Sequence, residues 1–298
     1  MARRAIALGS LLLVAACGPS SPPAGPKPRF ELLGPADFLP NDLDFVIRID
    51  ARRLRGEPAL DVAARGLATT DKSGMLRSVL PALEQARAIF VGGRLMADGF
   101  HGDGVVAIEP AGSGDVGANA VDPSFQPMPG APARVAIFER KTDSRHEAAL
   151  EIVLEGGGIV LATAAEVDAV MRVVRSGPDA DRFDPPARGL ASFAGRMPAA
   201  ATARAATPAP IVRRIALGLA RYAGFVEGGD ALHVEIELFY ASPEAAAGAA
   251  SLARSLLTRL GEAAGPLRSL SDSVQLANEA EVVRVRAAVP FAVVAELH

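Results

Sequence analysis

Hydrophobic and polar residues alternate most regularly over residues 232–240, where Leu232, Val234, Ile236 and Leu238 are separated by His233, Glu235, Glu237 and Phe239. Successive side chains of a strand point to opposite faces, so this pattern predicts an antiparallel strand with one buried and one wet face. The same period links Phe45, Ile47 and Ile49 behind Pro40, Asn41 and Asp42, and predicts a strand over 45–50 that buries one side. Strands are also expected over 87–95 and 105–109, with Gly102, Asp103 and Gly104 closing the hairpin between them. Three more follow at 134–139, 149–154 and 159–162, the last two joined by the glycines at 156–158.

Helical spacing appears in Leu76, Val79, Leu80 and Leu83, and again in Val167, Val170, Met171 and Val174. Thr163 and Glu166 ahead of the second set have the spacing of a capping box. Residues 110–132, rich in proline and glycine and without a hydrophobic period, read as a long surface loop. Beyond a polar, proline-containing segment at 175–188, a strand at 190–197 and a helix at 209–218 are expected. Strands at 220–227 and 232–240 then flank Gly228, Gly229 and Asp230. Ser242 as N-cap and Pro243 in the first turn open a helix to about residue 263, with Leu252, Leu256 and Leu260 along its buried stripe. A hairpin of 274–276 with 282–289 and a helix from Pro290 complete the pattern.

These elements define an α+β fold of antiparallel sheets with helices packed on one face. Strand, strand, helix recurs in both halves, which suggests a duplicated unit. The halves are expected at 39–177 and 189–298.

The N-terminus has a different character. Arg3 and Arg4 precede an apolar run over 5–14, followed by Val14, Ala15, Ala16, Cys17 and Gly18. The run is too short to span a bilayer and has the layout of an export signal. This segment resembles the lipobox of bacterial lipoproteins. The resemblance implies that residues 1–16 are a signal peptide and that Cys17 becomes the lipid-bearing first residue of the mature chain. Gly18, in place of the Asp that favours retention at the inner membrane, then implies transfer to the outer membrane. The alternative is a plain secretory peptide, which would leave the chain's one cysteine as a free exported thiol. Residues 17–38, with repeated Pro, Gly and Ser, read as a tether. The turn at 40–42, the strand end Ile49 and Asp50, and Leu54 resemble the opening of bacterial envelope lipoproteins built from α+β repeats. That resemblance implies location and architecture, and it carries no catalytic residue.

Composition narrows the function classes. Half of the chain is hydrophobic, Trp is absent, and Tyr222 and Tyr240 are the only tyrosines, so aromatic platforms for sugars or single-stranded nucleic acid are scarce. The net charge is −3, and Lys27, Lys72 and Lys141 are the only lysines, so no basic patch points to nucleic acid. No segment after the signal has the run of about 20 apolar residues that a membrane-spanning helix needs.

Candidate chemistry is sparse. Gly112, Gly114 and Gly117 match a dinucleotide-binding turn, but the prolines at 123, 127, 129 and 132 exclude the helix that such a turn opens. His101, His146, His233 and His298 are widely separated, and the acidic segment Asp179, Asp181 and Asp184 lacks the glycine and final glutamate of a calcium loop. No cofactor or metal site is assigned, and no nucleophile motif is found. The arginines at 52, 53, 55, 213 and 214 could meet lipid headgroups or an acidic partner, or be solvated charge. The sequence therefore favours a lipid-anchored, non-enzymatic envelope protein that binds a partner protein or an apolar ligand. Two alternatives stand. One is an envelope hydrolase drawing on His101, Asp103, His233, Glu235 and Glu237; the other is a structural subunit of an envelope complex, marked by a large exposed apolar patch.

Overall fold

The computed structural model describes residues 34–55, 85–94, 103–112, 124–178, 181–197, 214–262 and 266–290. The lipobox with Cys17, the helix expected at 76–83, His101, most of the glycine pattern at 112–117 and the helix expected beyond Pro290 lie outside them, as does the first half of the helix at 209–218.

The described strands form one antiparallel sheet. They are β1 (Phe45–Ile49), β2 (Ala86–Gly93), β3 (Gly104–Pro110), β4 (Gln126–Pro127), β5 (Val135–Glu139), β6 (Ala148–Leu154) and β7 (Ile159–Thr163) in the N-terminal half. The C-terminal half supplies β8 (Ala191–Arg196), β9 (Leu219–Glu227), β10 (Leu232–Tyr240), β11 (Val274–Glu279) and β12 (Val282–Val289). Their order across the sheet is β11-β12-β10-β9-β8-β1-β2-β3-β7-β6-β5-β4. The first strand of each half thus meets the other at the centre, where β1 and β8 pair antiparallel with Ile47 opposite Phe193. The helices are α1 (Ala51–Leu54), α2 (Val167–Ser176), α3 (Pro243–Gly261) and α4 (Pro266–Ser273). The class is the expected antiparallel α+β fold.

In the N-terminal half the sheet is buried on both faces. One face carries Val46, Val105, Ala107, Leu150, Ile152 and Val160, covered by Phe38 and Leu39 and by Val170 and Val174 of α2. The opposite face carries Ile89, Val106, Ile108, Ile159 and Leu161, with Ala51 of α1. Central position explains why β1 departs from the one-sided strand expected: Val46, on the face assumed to be wet, is 1 % exposed, whereas Phe45, Ile47 and Ile49 are half-buried. The second face continues into the C-terminal half as Phe193, Ile236, Leu238, Val283 and Leu276, with Leu238 directly opposite Val283 and both Ile236 and Leu276 opposite Val285. Its far end packs under α3. Phe193 and Tyr222 lie over glycines of the neighbouring strand: a Cβ at Gly224 would come within 2.6 Å of the Phe193 ring, and one at Gly195 within 2.7 Å of the Tyr222 ring. Glycine makes room there for the aromatic core of the sheet.

Three local expectations change. The capping box is not formed, because Thr163 Oγ1 instead accepts from Gly104 N at 3.1 Å and Glu166 turns to Arg94. The N-cap of α3 is as expected, with Ser242 Oγ accepting from Ala245 N at 3.2 Å, but the deepest residues of that helix are Ala246, Ala249 and Ala250, with Leu252, Leu256 and Leu260 half-buried. Small side chains let the helix approach the sheet closely. The presumed tether and loop also contribute structure. Pro35–Phe38 forms a 3-10 turn with Phe38 fully buried, while Phe125 is buried under Arg140 just before β4 pairs with β5.

Candidate functional site

The face that is core in the N-terminal half is open in the C-terminal half. There β10 presents His233, Glu235, Glu237 and Phe239, and β12 places Ala288, Arg286, Arg284 and Val282 directly opposite them. Opposite charges at facing positions form cross-strand pairs. Arg284 donates from Nε and Nη2 to Glu237 Oε1 at 3.0 and 2.9 Å, and Arg286 donates from Nε to Glu235 Oε2 at 3.1 Å. The hydrogen bonds that Arg284 donates to Glu237, together with the charge of that carboxylate, raise its pKa above the ordinary arginine value. Two aromatic rings on the same face lie beneath arginines: Arg188 is 3.9 Å from the Phe225 ring centre and Arg221 is 4.6 Å from that of Phe239.

The linker between the halves borders this face. Phe183 packs on the N-terminal core, Arg182 pairs with Asp37, and Arg188 stacks on Phe225. Gly189, at φ +83, sits so close to β9 that a Cβ would lie 2.6 Å from the Val226 carbonyl. What reads in sequence as a polar spacer is held against the sheet at both ends. Beyond Phe225, a groove of about 260 Å³ opens between β9, β10, β12 and the start of β11; His233, Glu235, Gln275, Arg286 and Ala288 are among its walls.

The residues named for the hydrolase alternative do not form one cleft among the described residues. Asp103 immediately precedes β3, whereas His233, Glu235 and Glu237 are on β10, with β2, β1, β8 and β9 between. At about 4.8 Å per strand, that separation is about 24 Å. Nor is Asp103 a solvated turn residue. It is 1 % exposed and accepts from Arg145 Nη2 at 2.8 Å, with His146 Nδ1 at 2.6 Å. These bonds tie the segment before β6 to the start of β3. His233 Nε2 lies 3.4 Å from Asp230 at the exposed turn. The described residues hold no group of three or more His, Cys, Asp or Glu placed to bind a metal ion.

A second buried carboxylate locks the N-terminal half. Glu166, 1 % exposed, accepts from Arg94 Nε at 2.6 Å and Nη2 at 2.9 Å, while Arg94 Nη1 reaches the Asp42 carbonyl at 2.9 Å. The bidentate bond to Glu166, supported by Asp42, raises the pKa of Arg94 despite desolvation, so the guanidinium stays charged. The sequence reading missed Arg94, Arg188, Arg284 and Arg286. For the last two a signal existed, since arginines two apart in β12 complement glutamates two apart in β10.

No protein-family model matches the sequence, and no curated protein is similar to it in sequence. Among solved structures, the fold is similar to that of TP0453 in crystal form I, with a TM-score of 0.52, 6 % identity, and coverage of 89 % of this chain and 96 % of that one. Crystal form III of TP0453 superposes with a TM-score of 0.46 at the same 6 % identity, over 87 % of this chain and 93 % of that one. The likeness to form I is one of fold.

Proposed function

We propose that this chain is a cell-envelope lipoprotein, anchored through lipid on Cys17 to the outer membrane, whose sheet domain serves as a non-enzymatic binding or accessory module. The observation that carries the reading is the position of the chain's one cysteine, at the end of a short basic-then-apolar export segment and directly behind Val14, Ala15 and Ala16. Each buried methylene stabilises membrane association by about 0.8 kcal/mol, so two or more acyl chains hold durably where one binds marginally. No helix among the described residues is long and apolar enough to cross a membrane. In this reading the lipid is the link to the membrane, and the open face of β10 and β12 is the surface offered to a protein partner or ligand. Nucleic acid is not a partner in this reading.

The test compares wild type with Cys17→Ser for incorporation of a labelled fatty acid and for membrane fractionation. Loss of both label and membrane residence in the variant is expected. A Cys17→Ser protein that remains membrane-bound, or a wild type that takes up no label, would contradict the anchor.

A further inference from the structure

We infer that the groove beside Phe225 is a binding site for a small amino-carboxylate zwitterion with an apolar side chain, a ligand of the size and chemistry of a single free amino acid. The inference starts from the ladder pair that borders the groove, Arg286 with Glu235. The Arg284 guanidinium binds Glu237 Oε1 through Nε and Nη2, and its Nη1 lies 3.8 Å from Glu279, beyond hydrogen-bond reach. The Arg286 guanidinium uses Nε alone, and its two terminal nitrogens have no partner among the described residues. The Glu235 carboxylate is half-used in the same way. Oε2 accepts from Arg286, while Oε1 lies 4.0 Å from Arg188, beyond hydrogen-bond reach. Of the two pairs, Arg286 with Glu235 is the one that lines the groove.

A donor fork and an open acceptor therefore stand side by side on one wall. The guanidinium fork of Arg286 matches a carboxylate. Glu235 Oε1 can accept from an ammonium group. Phe225 and Ala288 supply apolar wall for a side chain, and Arg188, stacked 3.9 Å over Phe225, borders the site. Charge selects against simpler ligands: two guanidinia against one carboxylate disfavour a bare cation, and a bare anion leaves Glu235 Oε1 unanswered. The volume, about 260 Å³, is below the roughly 300–1,000 Å³ of pockets that take drug-sized molecules. A ligand the size of leucine suits it. The inference is independent of whether Cys17 carries lipid.

The experiment is calorimetric titration of the full-length protein in detergent micelles with leucine, N-acetyl-leucine and isoamylamine. The last two each lack one of the charges. Saturable one-to-one binding of leucine is expected, with each truncated probe at least tenfold weaker. Glu235→Gln and Arg286→Met should each weaken leucine at least tenfold, whereas Arg284→Met, on the same face outside the groove, leaves it unchanged. Thermal melts followed by circular dichroism confirm that the variants fold. The proposal is overturned if leucine and the other common amino acids give no saturable heat. It is equally overturned if both truncated probes bind as well as leucine, or if folded Glu235→Gln and Arg286→Met proteins bind like wild type.

Discussion

The two halves of the molecule share one sheet and use the same face of it in opposite ways. In the N-terminal half that face is sealed: Val105, Leu150, Ile152, Val160 and Val170 are each fully buried, and two of the carboxylates that enter the interior, Asp103 and Glu166, are held by arginines. In the C-terminal half it is a row of paired charges with half-exposed aromatics between them. The difference separates stability from recognition. A carboxylate buried among apolar residues must be fully bonded, because it cannot fall back on water, whereas a carboxylate on an open face can keep an oxygen available for a ligand.

The contrast breaks most sharply in the core. Leu150→Ala should lower the unfolding free energy by about 2–5 kcal/mol, as large-to-small changes in a packed interior do. Phe239→Ala, half-exposed beneath Arg221, should cost about 1 kcal/mol. Urea denaturation of the two variants against wild type measures both. A Phe239→Ala cost equal to that of Leu150→Ala would mean that the C-terminal face is covered.

Next in size is the Arg94 and Glu166 pair. Arg94→Met leaves a carboxylate that is 1 % exposed without its bidentate partner, and should cost about 3 kcal/mol in the same denaturation assay. Arg284→Met removes an ion pair from the open face and should leave the denaturation midpoint within the scatter of wild type.

Alkaline pH sharpens the picture at the centre of the sheet. Burial, with a contribution from Asp44, pushes the Tyr222 hydroxyl up to about 12. The folded chain keeps this proton between about pH 10 and 12 while the unfolded chain releases it. Stability should hold below about pH 10 and fall through that window, by about 2 kcal/mol from this residue. Tyr222→Phe should remove most of the fall. Burial also raises Tyr240, whose hydroxyl donates to the Ile215 carbonyl at 2.9 Å, so a smaller decline should persist. Denaturation midpoints measured across the pH window check both expectations.

The fold was legible where the hydrophobic pattern is local. The period-two alternation of residues 232–240 marks β10 and its wet face, and Ser242 with Pro243 marks the start of α3. The double burial of the N-terminal half was also written in the unbroken apolar runs of β3 and β7, which suit strands covered on both sides. The reading of β1 as one-sided failed because its neighbours, β2 and β8, come from 86–93 and 191–196 and no local pattern shows that a strand will be central. Long-range bonds explain the remaining misses. Glu166 looked like a capping residue by its spacing from Thr163, yet its partner Arg94 lies 72 positions away, and Asp103 looked like a turn until Arg145 and His146 folded onto it.

The most direct test is carboxyl footprinting of the purified protein, with carbodiimide and glycine ethyl ester, read residue by residue by mass spectrometry. The account predicts rapid modification of Glu235 and Glu237, whose side chains are 21 % and 35 % exposed, and protection of Asp103 and Glu166, at 1 % each, until the protein unfolds. Equal modification of the two sets in the folded protein would contradict the division of the sheet into a sealed half and an open one.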